Sequence, residues 1–360
     1  MGLKKKLEML IYSDFDIDAE ASKMFLINDN NSLNENRYQF SVIIPVYNAE
    51  NYIERAISSV FRQIDVTVQL IVIDDGSIDH SGQICKSLLN TSDCIYLSHE
   101  NKGQSAARNE GLQIAEGKYI FFLDADDCLI DNCLKKIYAR MEDNRLDVLA
   151  FNVLEERENG KVGVMPFPIQ IHDGEVISGE EYLMKYGYQV TVPVWNYAFK
   201  RSFLREGGFL FREGYFHEDC EFTAHYFPYI RRLSYINEAF YKHNFTSIST
   251  MRSRNIKKAI DLINISIWIY RNAEIMKNRF DQKIVDGITR YAASEAFSSI
   301  VACVHNDFDL KEFLSDRERR DTIATLIRPE KKYYGIYLLL QMRQYKVIEG
   351  MIHIFSRKRE

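Results

Sequence analysis

Five short runs of β-branched and aromatic residues lie between residues 40 and 155: FSVIIPVYN, QLIVIDDGS, CIYLSHE, YIFFLDAD and DVLAFNV. Each is apolar on alternate and intervening positions alike, which is how a strand covered on both faces reads. Helical patterns separate them. In NYIERAISSVFRQ, the residues Ile53, Ala56, Ile57, Val60 and Phe61 form one apolar stripe. SAARNEGLQIAEG carries Ala107, Leu112, Ile114 and Ala115, with Gly117 expected to end that helix. CLKKIYARM turns Leu134, Ile137, Tyr138 and Met141 inward. Alternating strands and helices leave little choice of architecture: an α/β fold of βαβ units around a mostly parallel, Rossmann-like sheet. Such sheets bind ligands beyond the carboxyl ends of their strands. DDGS and DADD both fall there.

The stretch FFLDADDCL poses a chemical problem. A buried strand delivers Asp124, Asp126 and Asp127 within a few residues of one another. Like charges so close are destabilising unless a cation neutralises them. Hard divalent ions take such oxygen ligands, often together with phosphate oxygens. The competing reading is a helix N-cap for DDCLIDNCLKKIYARM, which one Asp would satisfy.

Beyond residue 155 the rhythm breaks into short strands, turns and aromatic-rich segments, and from Ile256 onward the patterns are helical. The organisation read from this is an N-terminal extension over 1–39 with a weak helical patch near AEASKMFLI, an α/β domain over 40–255 and a helical region over 256–360. The α/β domain divides into a regular half, 40–150, and an irregular half, 151–255. A hydrophobic content of 46% and a charged content of 27% describe a globular chain. The net charge of −5 argues against a nucleic-acid partner. Six cysteines with no C-x-x-C pair fit neither a zinc site nor a disulfide framework, so reduced thiols and a cytoplasmic location are expected. The basic start MGLKKKLEMLIY is followed by too short an apolar run for a signal peptide, and no stretch reaches the length of a membrane span.

Taken in order, SVIIPVYNAENYIERAISSV, VIDDGSIDHSG, NKGQSAARNEGL, YIFFLDADD and FHEDCEF resemble the successive motifs of family 2 inverting glycosyltransferases with the GT-A fold, over residues 40 to 250 or so. The resemblance implies transfer of a sugar from a nucleotide-diphosphate donor, with UDP-sugar expected, to an acceptor hydroxyl, with 40–150 as the nucleotide-binding half and 151–255 as the acceptor-binding half. It implies Mg²⁺ or Mn²⁺ at the DxD motif. On that resemblance Asp126 ligates the metal, Asp124 reaches the ribose or the metal, and Ala125 lies against the donor between them; Asp127 either joins them or caps the next helix. Asp75 resembles the carboxylate that accepts the uracil ring N–H, a role its chemistry suits. Pro45 and Tyr47 form the shelf beneath base and ribose, and Glu50 either contacts the nucleotide or begins the helix. Gly103 allows close backbone approach, and Arg108 matches an arginine near base and diphosphate. Asp219 of the ED pair is the expected general base, with Glu218 supporting the acceptor. Trp195 and Lys200 match a segment beside the acceptor, unless Trp195 is core. His243 resembles a position that meets the metal or diphosphate in some relatives. Arg252 and Arg254 close over the diphosphate or are surface charges.

The expected biology is bacterial surface or capsular polysaccharide assembly on a saccharide or lipid-linked saccharide acceptor. The alternative is a non-catalytic nucleotide-sugar-binding partner in an assembly complex, against which the intact ED pair argues. A dinucleotide-dependent oxidoreductase would need G-x-G-x-x-G after the first strand, which is absent. The last segment reads as one long helix on which Tyr334, Tyr337, Leu338, Met342, Tyr345, Ile348, Ile352 and Phe355 form a stripe. That stripe would meet the inner face of the membrane, a second subunit or the chain's own core.

Overall fold

The computed structural model of the chain describes residues 37–157, 160–165, 171–245 and 254–357. The helical patch expected in the N-terminal extension, and Arg252, lie outside these residues. The chain divides into two compact units: Met1–Gly179 with Thr191–Glu213 and Tyr229–Phe245, and Glu180–Val190 with Gly214–Pro228 and Thr246–Glu360.

In the first unit one sheet is built from β1 (Tyr38–Val46), β2 (Val68–Asp74), β3 (Cys94–Ser98), β4 (Gly117–Phe122), β5 (Cys128–Leu129), β6 (Val148–Arg157), β7 (Val162–Met165), β8 (Val176–Ile177), β9 (Tyr197–Lys200) and β10 (Leu233–Phe245). The order is β3-β2-β1-β4-β9-β6-β10-β5. β3, β2, β1 and β4 run parallel, β9 is antiparallel to both its neighbours, and β10 is parallel to β6. The helices α1 (Ile53–Phe61), α2 (Ser81–Leu88), α3 (Gln104–Ile114) and α4 (Cys133–Asn144) connect them. The chain proceeds from β1 through β2 to β3 on one side, then crosses to β4 on the other. The switch point therefore falls between β1 and β4, where ligands bind in open α/β sheets.

Val42, Ile43 and Ile44 are fully buried on both faces of the sheet, as their unbroken apolar run requires. Ile53, Ala56, Ile57 and Val60 of α1 pack into the same core, but Phe61 at the end of the stripe is exposed. Leu134, Ile137 and Met141 of α4 are buried as expected, with Tyr138 packed against them.

Two backbone details shape the switch point. Leu123 donates its N–H to the Ile43 carbonyl, at 3.0 Å. The next rung of a parallel ladder would run from residue 45 back to Leu123. Residue 45 is proline and has no N–H to give. The β1–β4 ladder stops there, and the Asp124–Asp126 turn leaves the sheet. Gly117, expected to end α3, instead opens β4, while α3 itself ends at Ile114. A Cβ on Gly117 would lie 2.2 Å from the Ser41 nitrogen and 2.3 Å from the Phe40 carbonyl carbon. Close packing of two strands, not helix termination, calls for glycine here.

The second unit is helical: α5 (Glu218–Tyr226), α6 (Ile256–Met276), α7 (Gln282–His305), α8 (Arg317–Ile327), α9 (Tyr334–Gln341) and α10 (Tyr345–Arg357), with short helices at Gly179–Tyr186 and Leu310–Phe313. Ala259, Ile263, Ala296, Ile300, Ile323, Ile327, Ile348 and Ile352 meet in its core. The single C-terminal helix expected from the stripe is two helices. Gln344 donates to the Leu339 carbonyl and Arg343 to that of Leu340, while Arg343 sits at φ 54°. This is the Schellman ending that glycine usually makes, here made by arginine, so the sequence carries no visible stop. Ile348 and Ile352 turn into the core, whereas Tyr334, Leu338 and Met342 face outward.

Candidate active site

Residues 74–80, after β2, and residues 47–50, after β1, are laced together. Asn48 N–H donates to Ser77 Oγ at 3.0 Å and the Asn48 side chain accepts from Ile78 N–H at 2.9 Å. Ala49 N–H donates to Ser81 Oγ at 2.8 Å and Glu50 N–H to Asp79 at 3.1 Å. The Glu50 carboxylate in turn receives His80 N–H at 3.0 Å and lies 2.8 Å from His80 Nδ1. Those two hydrogen bonds hold the Glu50 carboxyl below its ordinary range. Glu50 is thus a tie between two loops, and α1 begins three residues later, at Ile53. Tyr47 is 52% exposed at the end of β1, while Pro45 is buried within the strand.

Asp74 and Asp75 end β2 in different roles. Asp74 accepts from Ser77 N–H at 2.9 Å and from the Tyr96 hydroxyl at 2.7 Å, closing the turn. Asp75 accepts from Lys102 N–H at 2.7 Å with one oxygen and from Gly103 N–H at 2.8 Å with the other. His99 Nδ1 lies 3.5 Å from the same carboxylate. Gly103 begins α3 at φ 95°, a conformation that suits glycine. A Cβ there would meet nothing within 4 Å, so the backbone angle and not crowding selects the residue.

Arg108 lies on α3 and is 1% exposed, so it is no solvated helix charge. Its Nη2 is 2.9 Å from Asp124 Oδ1, and its guanidinium lies 5.2 Å from the centre of the Phe211 ring. Gln104 Nε2 also donates to Asp124, at 3.1 Å. Among the described residues no side chain donates to the Asp126 carboxylate. Burial first, then the Asp124 charge, pushes its carboxyl up to about 6, although its own backbone N–H and the Arg55 charge favour its ionised form. Asp127 is buried and takes the Tyr241 hydroxyl at 2.6 Å and Asn244 N–H at 2.8 Å. Burial and the Asp126 and Asp124 charges raise it as well. It is not a helix cap: α4 starts at Cys133, after Asn132.

β10 holds this turn from beneath. The Tyr241 hydroxyl accepts Asp124 N–H at 3.2 Å while donating to Asp127, and Asn244 Nδ2 donates to the Asp126 carbonyl at 2.5 Å. Ala125 is carried between these anchors, partly exposed. An aromatic ladder runs outward from the core, Phe151 to Phe121 at 5.7 Å, Phe121 to Tyr241 at 6.4 Å and Tyr241 to Trp195 at 4.9 Å. His243 completes it, 5.5 Å from Trp195 with the planes 13° apart. Trp195 is therefore part of the support. Tyr241 and Asn244 escaped the sequence reading because YKHNF carries no motif; only the alternation of Tyr241 with His243 on a strand hints at the first of them.

Two carboxylates on a turn, one raised by burial and, among the described residues, without a side-chain donor, suit a divalent cation that takes its remaining ligands from phosphate and water. Among the described residues no three His, Cys, Asp and Glu side chains are gathered as a metal cage. Asp124 is turned toward Arg108, and the His243 ring lies flat on Trp195.

Glu218 and Asp219 belong to the second unit, in the first turn of α5, where acids also stabilise the helix dipole. The preceding residue, His217, sits at φ 64° and is pushed down to about 4 by burial. The first turn of α6 fixes this loop. Asp261 accepts Phe216 N–H at 2.9 Å, Lys257 Nζ donates to the Gly214 carbonyl at 2.8 Å, and Lys257 pairs with Asp261. Within α5, Glu221 is buried and receives Asn272 Nδ2 at 2.8 Å. Arg254 donates to the Asp307 carbonyl at 2.6 Å and covers the Phe308 ring.

The sheet order, with carboxylates at the switch point and a helical C-terminal region, defines a GT-A fold. The solved S. aureus TarS 1–349 superimposes with a TM-score of 0.66 at 20% identity, covering 89% of this chain and 92% of that one. Residues 41–207 match the family described as glycosyl transferase family 2. EpsJ of Bacillus subtilis (strain 168), an uncharacterized glycosyltransferase, is 30% identical over 207 residues, 56% of this chain and 59% of EpsJ. YibD of Escherichia coli (strain K12), an uncharacterized glycosyltransferase, is 29% identical over 254 residues, 69% of this chain and 73% of YibD. The minor teichoic acid biosynthesis protein GgaA of B. subtilis is 42% identical over 131 residues, 34% of this chain and 29% of GgaA. The chain thus spans less than two thirds of EpsJ and under a third of GgaA.

Proposed function

We propose that this protein transfers a sugar, with inversion, from a UDP-sugar to an acceptor hydroxyl in the assembly of a surface polysaccharide. The observation that carries the reading is the contrast at the switch point, where Asp124 is paired with buried Arg108 while, among the described residues, no side chain donates to Asp126. A site for a metal-bound diphosphate needs this asymmetry: one carboxylate fixed in place and one left for the cation. TarS, whose fold this chain shares, has been solved with UDP, and GgaA belongs to teichoic acid biosynthesis.

Each residue then has a task. Asp75 keeps a second lone pair on each oxygen after binding Lys102 and Gly103, enough to accept a uracil ring N–H. Exposed Tyr47 offers a ring face to the base and ribose, and Pro45 and Glu50 hold its loop. Gly103 lets the backbone approach the nucleotide, Ala125 leaves room beside the phosphates, and Arg108 draws them by charge. Asp126 would hold Mg²⁺ or Mn²⁺, Asp124, kept in place by Arg108, would reach the ribose or the metal, and His243 would meet the metal or the diphosphate. Bound there, a divalent ion supplies neutralisation of the charge that gathers on the leaving diphosphate. Asp219 takes the proton of the acceptor hydroxyl as that oxygen bonds to the anomeric carbon and the bond to the diphosphate breaks. Glu218 orients the acceptor, a saccharide or lipid-linked saccharide. The reaction takes place on the cytoplasmic side.

Calorimetry with UDP, followed by nucleotide release from a panel of UDP-sugars, tests this. UDP affinity is expected to need Mn²⁺ or Mg²⁺ and to collapse in chelator and in Asp126→Ala. Equal affinity with and without metal overturns the assignment.

A further inference from the structure

The outer face of α9 is an anomaly for a protein surface. Tyr334, Leu338 and Met342 lie at i, i+4 and i+8 and are 52%, 40% and 59% exposed. The helix, YGIYLLLQ, has no charged residue, and only Gly335 and Gln341 share that face. On α10 the outward large apolar residues among the described side chains are Val347 and Ile354, seven apart on one side of the helix. Charge is placed at the ends of α9 instead. Arg328, Lys331 and Lys332 precede it and Arg343 and Lys346 follow it, all exposed. Between Arg328 and Ile354 these five basic residues face only Glu330 and Glu349, in a chain whose net charge is −5.

We propose that this face docks on an anionic lipid membrane. An uncharged apolar helix flank bordered by basic side chains is the pattern of a helix lying in a bilayer interface, where lysine and arginine reach the headgroups while their stems cover apolar surface. Two other occupants fit less well. A second copy meeting this face about a two-fold axis would set the basic groups of both copies against each other. A soluble polyanion would satisfy the charges but not Tyr334, Leu338 and Met342. The inference does not depend on the sugar-transfer reading.

Co-sedimentation of the full chain with vesicles decides it. Phosphatidylcholine–phosphatidylglycerol vesicles should pellet the protein at least about tenfold better than pure phosphatidylcholine, with the advantage reduced at high salt. Two variants that alter only exposed side chains, Leu338→Ser with Met342→Ser and Lys331→Gln with Lys332→Gln and Arg343→Gln, should each lose about tenfold or more while melting at the wild-type temperature. The idea is overturned if the wild type stays in the supernatant, or if the Leu338/Met342 variant pellets as well as the wild type. It is equally overturned if the wild type is a dimer that the same variant converts to monomer without any vesicle binding.

Discussion

The Tyr241 hydroxyl stands between two carboxylate-bearing residues, donating to the Asp127 carboxylate at 2.6 Å and accepting the Asp124 backbone N–H at 3.2 Å. One phenol on β10 thereby sets both ends of the acidic turn that follows β4.

Tyr241→Phe keeps the ring in its aromatic ladder and removes only the hydroxyl. Asp127 loses a buried donor, which costs about 1–3 kcal/mol. Urea unfolding should show that loss, and calorimetry should show weaker metal-dependent UDP binding. A variant with unchanged stability and unchanged UDP affinity would remove Tyr241 from the account of the site.

Asp219→Asn is close to isosteric but cannot accept the acceptor proton. Turnover should fall by about 10²–10⁴, the usual contribution of a general base, with UDP affinity unchanged. Retention of more than about a tenth of turnover would assign the proton to another group.

Gly117→Ala forces a Cβ to within 2.2 Å of the Ser41 nitrogen, and backbone cannot yield as a flexible side chain can. We expect a loss of about 3 kcal/mol or more, read from thermal or urea unfolding. Gly163→Ala on β7, whose added Cβ would meet nothing within 4 Å, is the control and should stay within about 0.5 kcal/mol of wild type.

Glu295 on α7 is raised by burial from 4.5 to about 7. Between those values the folded chain holds a proton that the unfolded chain has released, so stability falls as pH rises through this window and levels off above it. Glu295→Gln removes the effect. It should be more stable than wild type by about 2–3 kcal/mol at pH 8 and no more stable at pH 4. His217, lowered to about 4 by burial, works in the opposite direction, and its contribution is lost as pH falls from about 6.5 toward 4.

Those parts of the fold that rest on local pattern were legible in the sequence. Buried strands such as FSVIIPV announce themselves by apolar runs, α1 and α4 by their stripes, and α6 begins at the Ile256 that the periodicity marks. The carboxylates of DDGS and DADD were legible because acids at strand ends are rare without a purpose. Relationships between distant segments were not. α2, SGQICKSL, is only eight residues long and buries Ser81 and Cys85 alone completely, with Ile84 and Leu88 packed beside the core, so its stripe is short. The reason for Gly117 appears only once β4 is set against β1. The break between α9 and α10 is made by a left-handed Arg343, a residue that carries no breaker signal. The support from Tyr241 and Asn244 depends on where β10 enters the sheet, which no window of neighbouring residues contains.

That last dependence has a temporal side. Asp124 and Asp127 leave the ribosome 117 residues before their partners Tyr241 and Asn244. At about 5–20 residues per second, the acidic turn waits roughly 6–24 s for its anchors. During that interval β1 to β4 can already pair through their shorter connections, but the three carboxylates remain unpinned. The acidic turn is thus among the last features of its unit to be assembled, and a nascent chain cut short before β10 would carry the motif without a settled turn to present it.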